Sequence, residues 1–287
     1  MKSGEPSMTA RLCAAARGAH LRLDRAPYVL EDALADALSG FTPDELATGS
    51  VEQLDQFQSP STRATMTVRS RIVEDVVAEN AAKRPLQYVI FGAGLDTFAY
   101  RRSLALQQVA VFEVDYASTQ VWKRQKLAEI GVAVPENTKL IEVDFETEAF
   151  EDKLGSAGFD ADLPTVFSLL GVSQYITTAA FRDLAARTTT LVSGHCELIL
   201  NFIPPVDTLP DASAEAVRTI AKKSAERGEP FVSFYTWEQI EAVLTDAGFI
   251  EVEHFDPPKI RRLYFDGRTD GLIVGNVLRM ARAIRPA

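Results

Sequence analysis

The period of the apolar positions changes several times along the chain, and each change marks an element. From Thr9 to Leu38, Ala and Leu recur at three- and four-residue intervals, the spacing of an amphipathic helix, with Pro27 marking a break near Ala26. Between Ser39 and Ser61, Gly40, Pro43, Gly49 and Pro60 lie among polar residues, which reads as a loop or short helix able to move as a lid. Ser61 to Ala82 is helical again: Val68, Ile72, Val76 and Val77 form one apolar face, and the pattern stops before Pro85.

Strands and helices then alternate. Gln87 to Phe91 is a short apolar strand, and Val109 to Val114 is a second that closes on Asp115. A helix follows over Tyr116 to Ile130, and a third strand over Lys139 to Val143 ends at Asp144. Thr165 to Leu169 is a fourth strand, Phe181 to Leu191 a helix, and Cys196 to Ile203 a fifth strand stopped by Pro204 and Pro205. Asp207 to Gly228 is helical and polar, an insertion expected beside the site. Thr236-Trp-Glu-Gln opens another helix as a capping box, Phe249 to Phe255 alternates as a half-buried strand does, and Leu272 to Leu278 is its expected partner. This alternation implies right-handed crossovers and a doubly wound, mostly parallel, Rossmann-like sheet. Ligands on such sheets sit beyond the carboxyl ends of the strands, which directs attention to Gly92–Thr97, Asp115, Asp144 and Leu170–Tyr175.

With 287 residues, 46% of them hydrophobic, the chain can bury one large α/β domain, expected over 61–287 behind an N-terminal helical extension over 1–60. Forty acidic against thirty basic residues give a net charge of −10, which repels phosphate backbones and anionic lipid, so nucleic acid and membrane are not expected partners. No apolar run approaches the roughly 18 to 20 residues of a membrane span, nor does the N-terminus carry the apolar core of an export signal; a cytoplasmic location is expected. Cys13 and Cys196 lie far apart and His20, His195 and His254 are scattered singly, so neither a disulfide framework nor a metal site is indicated.

Gly92-Ala93-Gly94 follows a strand directly, where glycines permit a tight turn and a ligand lying against bare backbone. A dinucleotide fingerprint would place a third glycine at position 97, which is Thr97. S-adenosylmethionine has no phosphate, and needs close backbone approach and an acid for its ribose. Asp115 lies about twenty residues beyond the glycines, at the end of the second strand, where a carboxylate can accept from ribose hydroxyls. Glu113 shares its face of that strand and is the neighbouring candidate, while a solvated loop acid is the competing reading. Asp96 belongs to the same glycine loop, and Asp144, ending the third strand, could accept from an adenine amine. Arg69 and Arg71 on the preceding helix could each offer a fork to a methionyl carboxylate.

The blocks VRSRIVED, LQYVIFGAGLDTFAYR, FEVDYASTQVWKRQKL, IEVDFETEAFEDKL and PTVFSLLGVSQYI, in that order, resemble leucine carboxyl methyltransferases and the related bacterial O-methyltransferases, including tetracenomycin-type polyketide carboxyl methyltransferases. The resemblance spans Thr9 to Leu278. It implies a seven-stranded sheet whose last strand is antiparallel, an N-terminal extension over the active site, and S-adenosylmethionine as cofactor. By position in the motifs it assigns Arg69 to the cofactor carboxylate, Gly92 and Gly94 to the cofactor loop, Asp115 to the ribose, and Asp144 with Phe145 to adenine, with Arg71 as the fallback for Arg69. The chain departs from the family at Leu170, where an acid is common, and at Phe98, where arginine often stands; both changes fall on the substrate side.

The resulting expectation is an S-adenosylmethionine-dependent O-methyltransferase acting on a small molecule, a polyketide-like carboxylate by resemblance. Tyr100, Arg101 and Tyr175 are the candidate pocket residues, with Arg101 available to neutralise an anionic acceptor. The alternatives are a nicotinamide-dependent oxidoreductase and a non-catalytic cofactor-binding protein.

Overall fold

The computed structural model describes residues 7–52, 54–144 and 148–287. The N-terminal segment folds as α1 (Met8–Leu23), α2 (Ala35–Ser39), α3 (Pro43–Thr48) and α4 (Leu54–Phe57). Two of these starts have a local cause: the Ser7 hydroxyl accepts from Ala10 N at α1, and Thr42 with Glu45 closes a capping box at α3. Between α1 and α2 the Ala26–Pro27 peptide is cis. The long α5 (Pro60–Ala81), with proline at its first position, leads into the sheet.

Seven strands form the sheet: β1 (Gln87–Phe91), β2 (Ala110–Asp115), β3 (Thr138–Glu142), β4 (Thr165–Leu169), β5 (Cys196–Phe202), β6 (Glu251–Phe255) and β7 (Arg279–Arg285). Their spatial order is β3-β2-β1-β4-β5-β7-β6, with β7 antiparallel to both neighbours. The connecting helices are α6 (Phe98–Arg101), α7 (Ala117–Glu129), α8 (Phe150–Ser156), α9 (Thr178–Leu191), α10 (Asp211–Glu226), α11 (Trp237–Asp246) and α12 (Pro257–Tyr264).

The expected final strand over Leu272–Leu278 is not one: the chain there has no regular structure, and the antiparallel strand begins at Arg279. Leu272, Val274 and Leu278 are buried all the same, packing under the sheet as an apolar strap.

Both faces of the central strands β1, β4 and β5 are dry. Val89, Phe91, Phe112, Val114, Phe167 and Leu169 point to one core, and Tyr88, Ile90, Val111 and Val166 to the other, so β1 is buried at every position. Each fully buried apolar side chain contributes about 1.5–3 kcal/mol, which makes the central strands a rigid floor. The winding reverses between β1 and β4, and it is outside the carboxyl ends of these two strands that such sheets receive a ligand.

Candidate functional site

Phe91, Val114 and Leu169 are cross-strand neighbours on β1, β2 and β4, so the loops that follow them open at one edge. The chain leaves β1 through Gly92, at φ +63°, where a Cβ would lie 2.4 Å from Val172 Cγ2. Glycine at 92 is therefore required twice, by the left-handed backbone and by the approach of the loop after β4.

Asp115 closes β2 and faces this loop. Its carboxylate accepts from Gly94 N at 2.5 Å and from Tyr116 N at 2.7 Å, binding the two loops to one acid. Burial pushes its pKa up, opposed by those backbone N–H donors, by Lys123 and by Thr119. Two of about four lone-pair directions are taken by the loops, which leaves acceptor capacity for a ribose diol.

Arg69 comes up from α5 on the other side. Its guanidinium lies over Gly171, where a Cβ would stand 3.1 Å from Nη1, and its Nε is buried without a hydrogen-bond partner among the described residues. A buried N–H of a charged group that lacks a partner costs free energy unless an acceptor arrives. Arg71, two residues on, turns outward: it pairs with Asp75 at 2.7 Å with nearly half of its side chain exposed.

The other expected residues distribute unevenly. Asp96 Oδ1 accepts from Phe98 N at 2.8 Å, at the start of the short α6. Asp144 N donates to Glu148 Oε2 at 2.9 Å beyond β3, and Phe145 lies outside the described residues. Glu113 shares the Asp115 face but is wholly buried, ion-paired with the equally buried Lys123 at 2.5 Å and 3.3 Å from the Tyr100 hydroxyl. Burial pushes its pKa up and Lys123 pulls it down. Arg101 is engaged too: it forms a two-pronged pair with Glu74, donates to Thr97 Oγ1 at 2.8 Å and sits 3.6 Å from Asp32. Its charge is spent inside the protein. Tyr175, on the single turn Ser173–Tyr175 after β4, has its hydroxyl 3.4 Å from Ser224 Oγ on α10 and its ring edge-on to Phe231. Phe98 is a core residue packed edge-on to Tyr88, and Leu170 packs against the same cluster.

Four contributions were missed from the sequence. Lys123 projects from α7 beneath both β2 acids. Arg17 on α1 pairs with the buried Asp32 at 2.8 Å and donates to the Leu95 carbonyl at 2.6 Å, tying the N-terminal segment to the glycine loop. Ala10 lies over Gly94, its Cβ 3.6 Å from where a Cβ would stand. At the same helix end Thr9 Oγ1 donates to Glu229 Oε2 at 2.9 Å, 220 residues away. Surface clefts of about 320 Å³ on the outer face of α10 and about 370 Å³ between Trp237 and Arg279 include none of Arg69, Gly92 or Asp115. Among the described residues no helix is long and apolar enough to cross a membrane.

A glycine turn, a strand-end acid and an unpaired arginine at the switch point of a 3-2-1-4-5-7-6 sheet define a Rossmann-like methyltransferase. The leucine carboxyl methyltransferase family profile matches residues 10–189, and the chain belongs to this family. It is an S-adenosylmethionine-dependent methyltransferase. YktD of Bacillus subtilis (strain 168), a proposed S-adenosyl-L-methionine-dependent methyltransferase, is 27% identical over 99% of this chain and 100% of its own. One from Mycolicibacterium vanbaalenii, described in the same way, is 31% identical over 76% of this chain and 73% of its own. In fold, the chain is similar to a candidate methyltransferase from Thermobifida fusca YX (TM-score 0.60, 18% identity, 100% and 97% of the two chains). It is also similar to a DUF574 family protein from Streptomyces avermitilis (TM-score 0.57, 16% identity, 98% of each). Membership in this family sets aside the nicotinamide oxidoreductase.

Proposed function

We propose that the protein transfers the methyl group of S-adenosylmethionine to an oxygen of a small molecule. The observation that carries this reading is the unpaired guanidinium of Arg69 over Gly171, facing the same strand ends as Asp115. Arg69 would hold the methionyl carboxylate, Asp115 the ribose hydroxyls and Asp144 the adenine amine, while Gly92 and Gly94 let the backbone approach. The role of Phe145 as an adenine contact stays part of the proposal. When bound, the cofactor supplies an electrophilic methyl on its sulfonium.

What the residues contribute is position. Holding an acceptor oxygen in line with that methyl can supply on the order of 7–11 kcal/mol. The rigid floor of β1 and β4 fixes one side, and α1 with its Ala10 contact over Gly94 excludes water from the other. Residues 1–60 thus act as a cover on a catalytic domain of 61–287. Tyr100 lies under the loop against Glu113, and Tyr175 lines the acceptor side.

Two acceptor classes follow from different features. The family description favours a carboxylate, which needs no general base because it is ionised at neutral pH. The charges of the site favour a hydroxyl: Arg101 is neutralised by Glu74, and Arg69 is required by the cofactor. Calorimetry with S-adenosylhomocysteine and NAD tests the cofactor reading. Binding of the first alone is expected, and NAD binding without any affinity for the adenosyl compound would overturn it. Transfer of labelled methyl groups exclusively to nitrogen would overturn the oxygen assignment.

A further inference from the structure

The loop that follows β4 holds a buried acceptor that nothing yet uses. Gln174, on the single turn Ser173–Tyr175, is 7% exposed, and its Oε1 is buried with no hydrogen-bond partner among the described residues. The other end of the amide is fixed. Nε2 donates to Gly171 O at 3.2 Å, and since a carbonyl can accept only from the nitrogen, the atom left over is the oxygen. The loop itself is fastened on two sides: Gln174 O accepts from Val232 N at 2.7 Å, and Gly171 N donates to Asn201 Oδ1 on β5 at 2.7 Å. The amide oxygen is thus presented from a tied position.

Gly171 is also where Arg69 arrives: a Cβ there would stand 3.1 Å from Nη1, and the buried Nε lacks a partner among the described residues. One glycine therefore touches both a side chain with an unused donor and a side chain with an unused acceptor. Each costs free energy while it stays unmet, and the two needs are opposite. A ligand that carries an anion and an N–H cation on one carbon meets both at once, as the α-carbon of an amino acid does with its carboxylate and ammonium. Val172, the next residue, is the one whose Cγ2 lies 2.4 Å from where a Cβ would stand at Gly92, so this corner of the β4 loop abuts the glycine turn. Asp96, the acid on that turn, directs Oδ1 back to Phe98 N at 2.8 Å. On the cofactor reading above, we infer that Gln174 is a cofactor-binding residue whose Oε1 accepts from the α-ammonium of the methionyl group while Arg69 holds its carboxylate. A neutral amide accepts from the ammonium without placing a second negative charge where the carboxylate must meet Arg69. It also gives nothing to a carboxylate through its oxygen, so the amino acid is seated in one orientation.

The test compares three ligands on the full chain by calorimetry: S-adenosylhomocysteine, its deamino analogue, in which hydrogen replaces the amine, and its decarboxylated analogue, which keeps the amine. The wild type is expected to bind S-adenosylhomocysteine about 10-fold or more tighter than the deamino analogue, as for a hydrogen bond to a charged group. Gln174→Met, unbranched and without the acceptor, should weaken S-adenosylhomocysteine and the decarboxylated analogue by about 10-fold and leave the deamino analogue within about 2-fold. Arg69→Ala should do the converse, weakening the two carboxylate-bearing ligands and sparing the decarboxylated one. Gln174→Asn, which withdraws the same acceptor by one methylene, replaces the methionine variant if that lacks native circular dichroism. Equal affinity of the wild type for S-adenosylhomocysteine and the deamino analogue, the result a water held on Oε1 would give, overturns the inference. So does an equal loss of both ligands in the Gln174 variants, which would mean that the amide only braces Gly171. So does a loss of the amine preference in Asp96→Asn with the preference intact in the Gln174 variants. In each of these cases S-adenosylhomocysteine binding keeps the methyltransferase reading, whereas absence of that binding in the wild type would sink the cofactor site on which both rest.

Discussion

At the scale of single residues the site is a contest over where charge is spent. Arg69, Arg71 and Arg101 are chemically identical, yet Arg71 pairs with Asp75 at the surface and Arg101 is locked to Glu74, while the buried Nε of Arg69 has no partner among the described residues. Arg69→Ala is therefore expected to weaken S-adenosylhomocysteine binding by about 1.5–3 kcal/mol, the range for hydrogen bonds to charged groups, and Arg71→Ala to leave it within twofold. Calorimetry on variants with native circular dichroism decides; a larger loss in Arg71→Ala would mean that the cofactor lies on the other face of α5. Asp115→Ala should cost about 1–3 kcal/mol of the same affinity, since two loop N–H groups and the ribose lose one acceptor together. Asp152→Ala, exposed on α8, is the control that should change nothing.

At the scale of elements, what the chain displays locally was legible and what it assembles at long range was not. β1, β2, β4 and β5 stand out as short apolar runs because both of their faces are buried, and the capping box at Thr236 is met by hydrogen bonds in both directions. β7 hid because arginine occupies positions 279, 282 and 285: Arg282 reaches Glu197 and Glu79, and Arg285 donates to main-chain carbonyls such as Gly194 O, so a strand of high charge is satisfied inside the fold. The apolar strap at 272–278 imitated the strand it precedes. Of the candidate site, Gly92, Asp115 and Arg69 could be picked out by their position in motifs. Lys123 looked like one more helical lysine, and Thr9 with Glu229 could not be paired without the fold, being 220 residues apart. The loops also make a prediction of their own. Gly92→Ala forces a methyl 2.4 Å from Val172 Cγ2 at φ +63°, whereas Gly131→Ala at φ +70° meets no atom within 4 Å. Both should lose about 1 kcal/mol of stability to the left-handed backbone. Only Gly92→Ala should also lose cofactor affinity, by tenfold or more in calorimetry, and equal affinities for the two variants would show that the approach of β1 and β4 loops is not what shapes the site.

At the scale of the whole molecule, the N-terminal segment and the sheet respond oppositely to acid. The segment is fastened by buried carboxylates: Asp24 holds Arg63 at 2.6 and 2.8 Å and accepts from His20 Nδ1, whose Nε2 receives Val29 N, while Asp32 joins Arg17 to Arg101. Burial alone would raise both acids, but the hydrogen bonds and charges of Arg63 and His20 on Asp24, and of Arg17 and Arg101 on Asp32, hold them below the usual carboxylate value. A carboxyl with a depressed folded pKa stabilises the native state above its unfolded value near 3.9, and that contribution is lost as the pH falls through the folded value. Beneath the site the sign reverses. Asp115, Glu113 and Glu74 are raised, first by burial, so they oppose folding when ionised at neutral pH and this opposition fades as they take up protons. Acid should therefore loosen the cover before the floor. Amide hydrogen exchange, expressed as protection factors so that the intrinsic rate is removed, should show α1 and α2 losing protection below about pH 4 while β1, β4 and β5 retain theirs. Asp24→Asn should bring the loosening of α1 to neutral pH, because an amide cannot neutralise Arg63. Simultaneous loss of protection in α1 and β1 across the acid range would show that the segment is not a separately releasable cover but part of the same cooperative unit as the sheet.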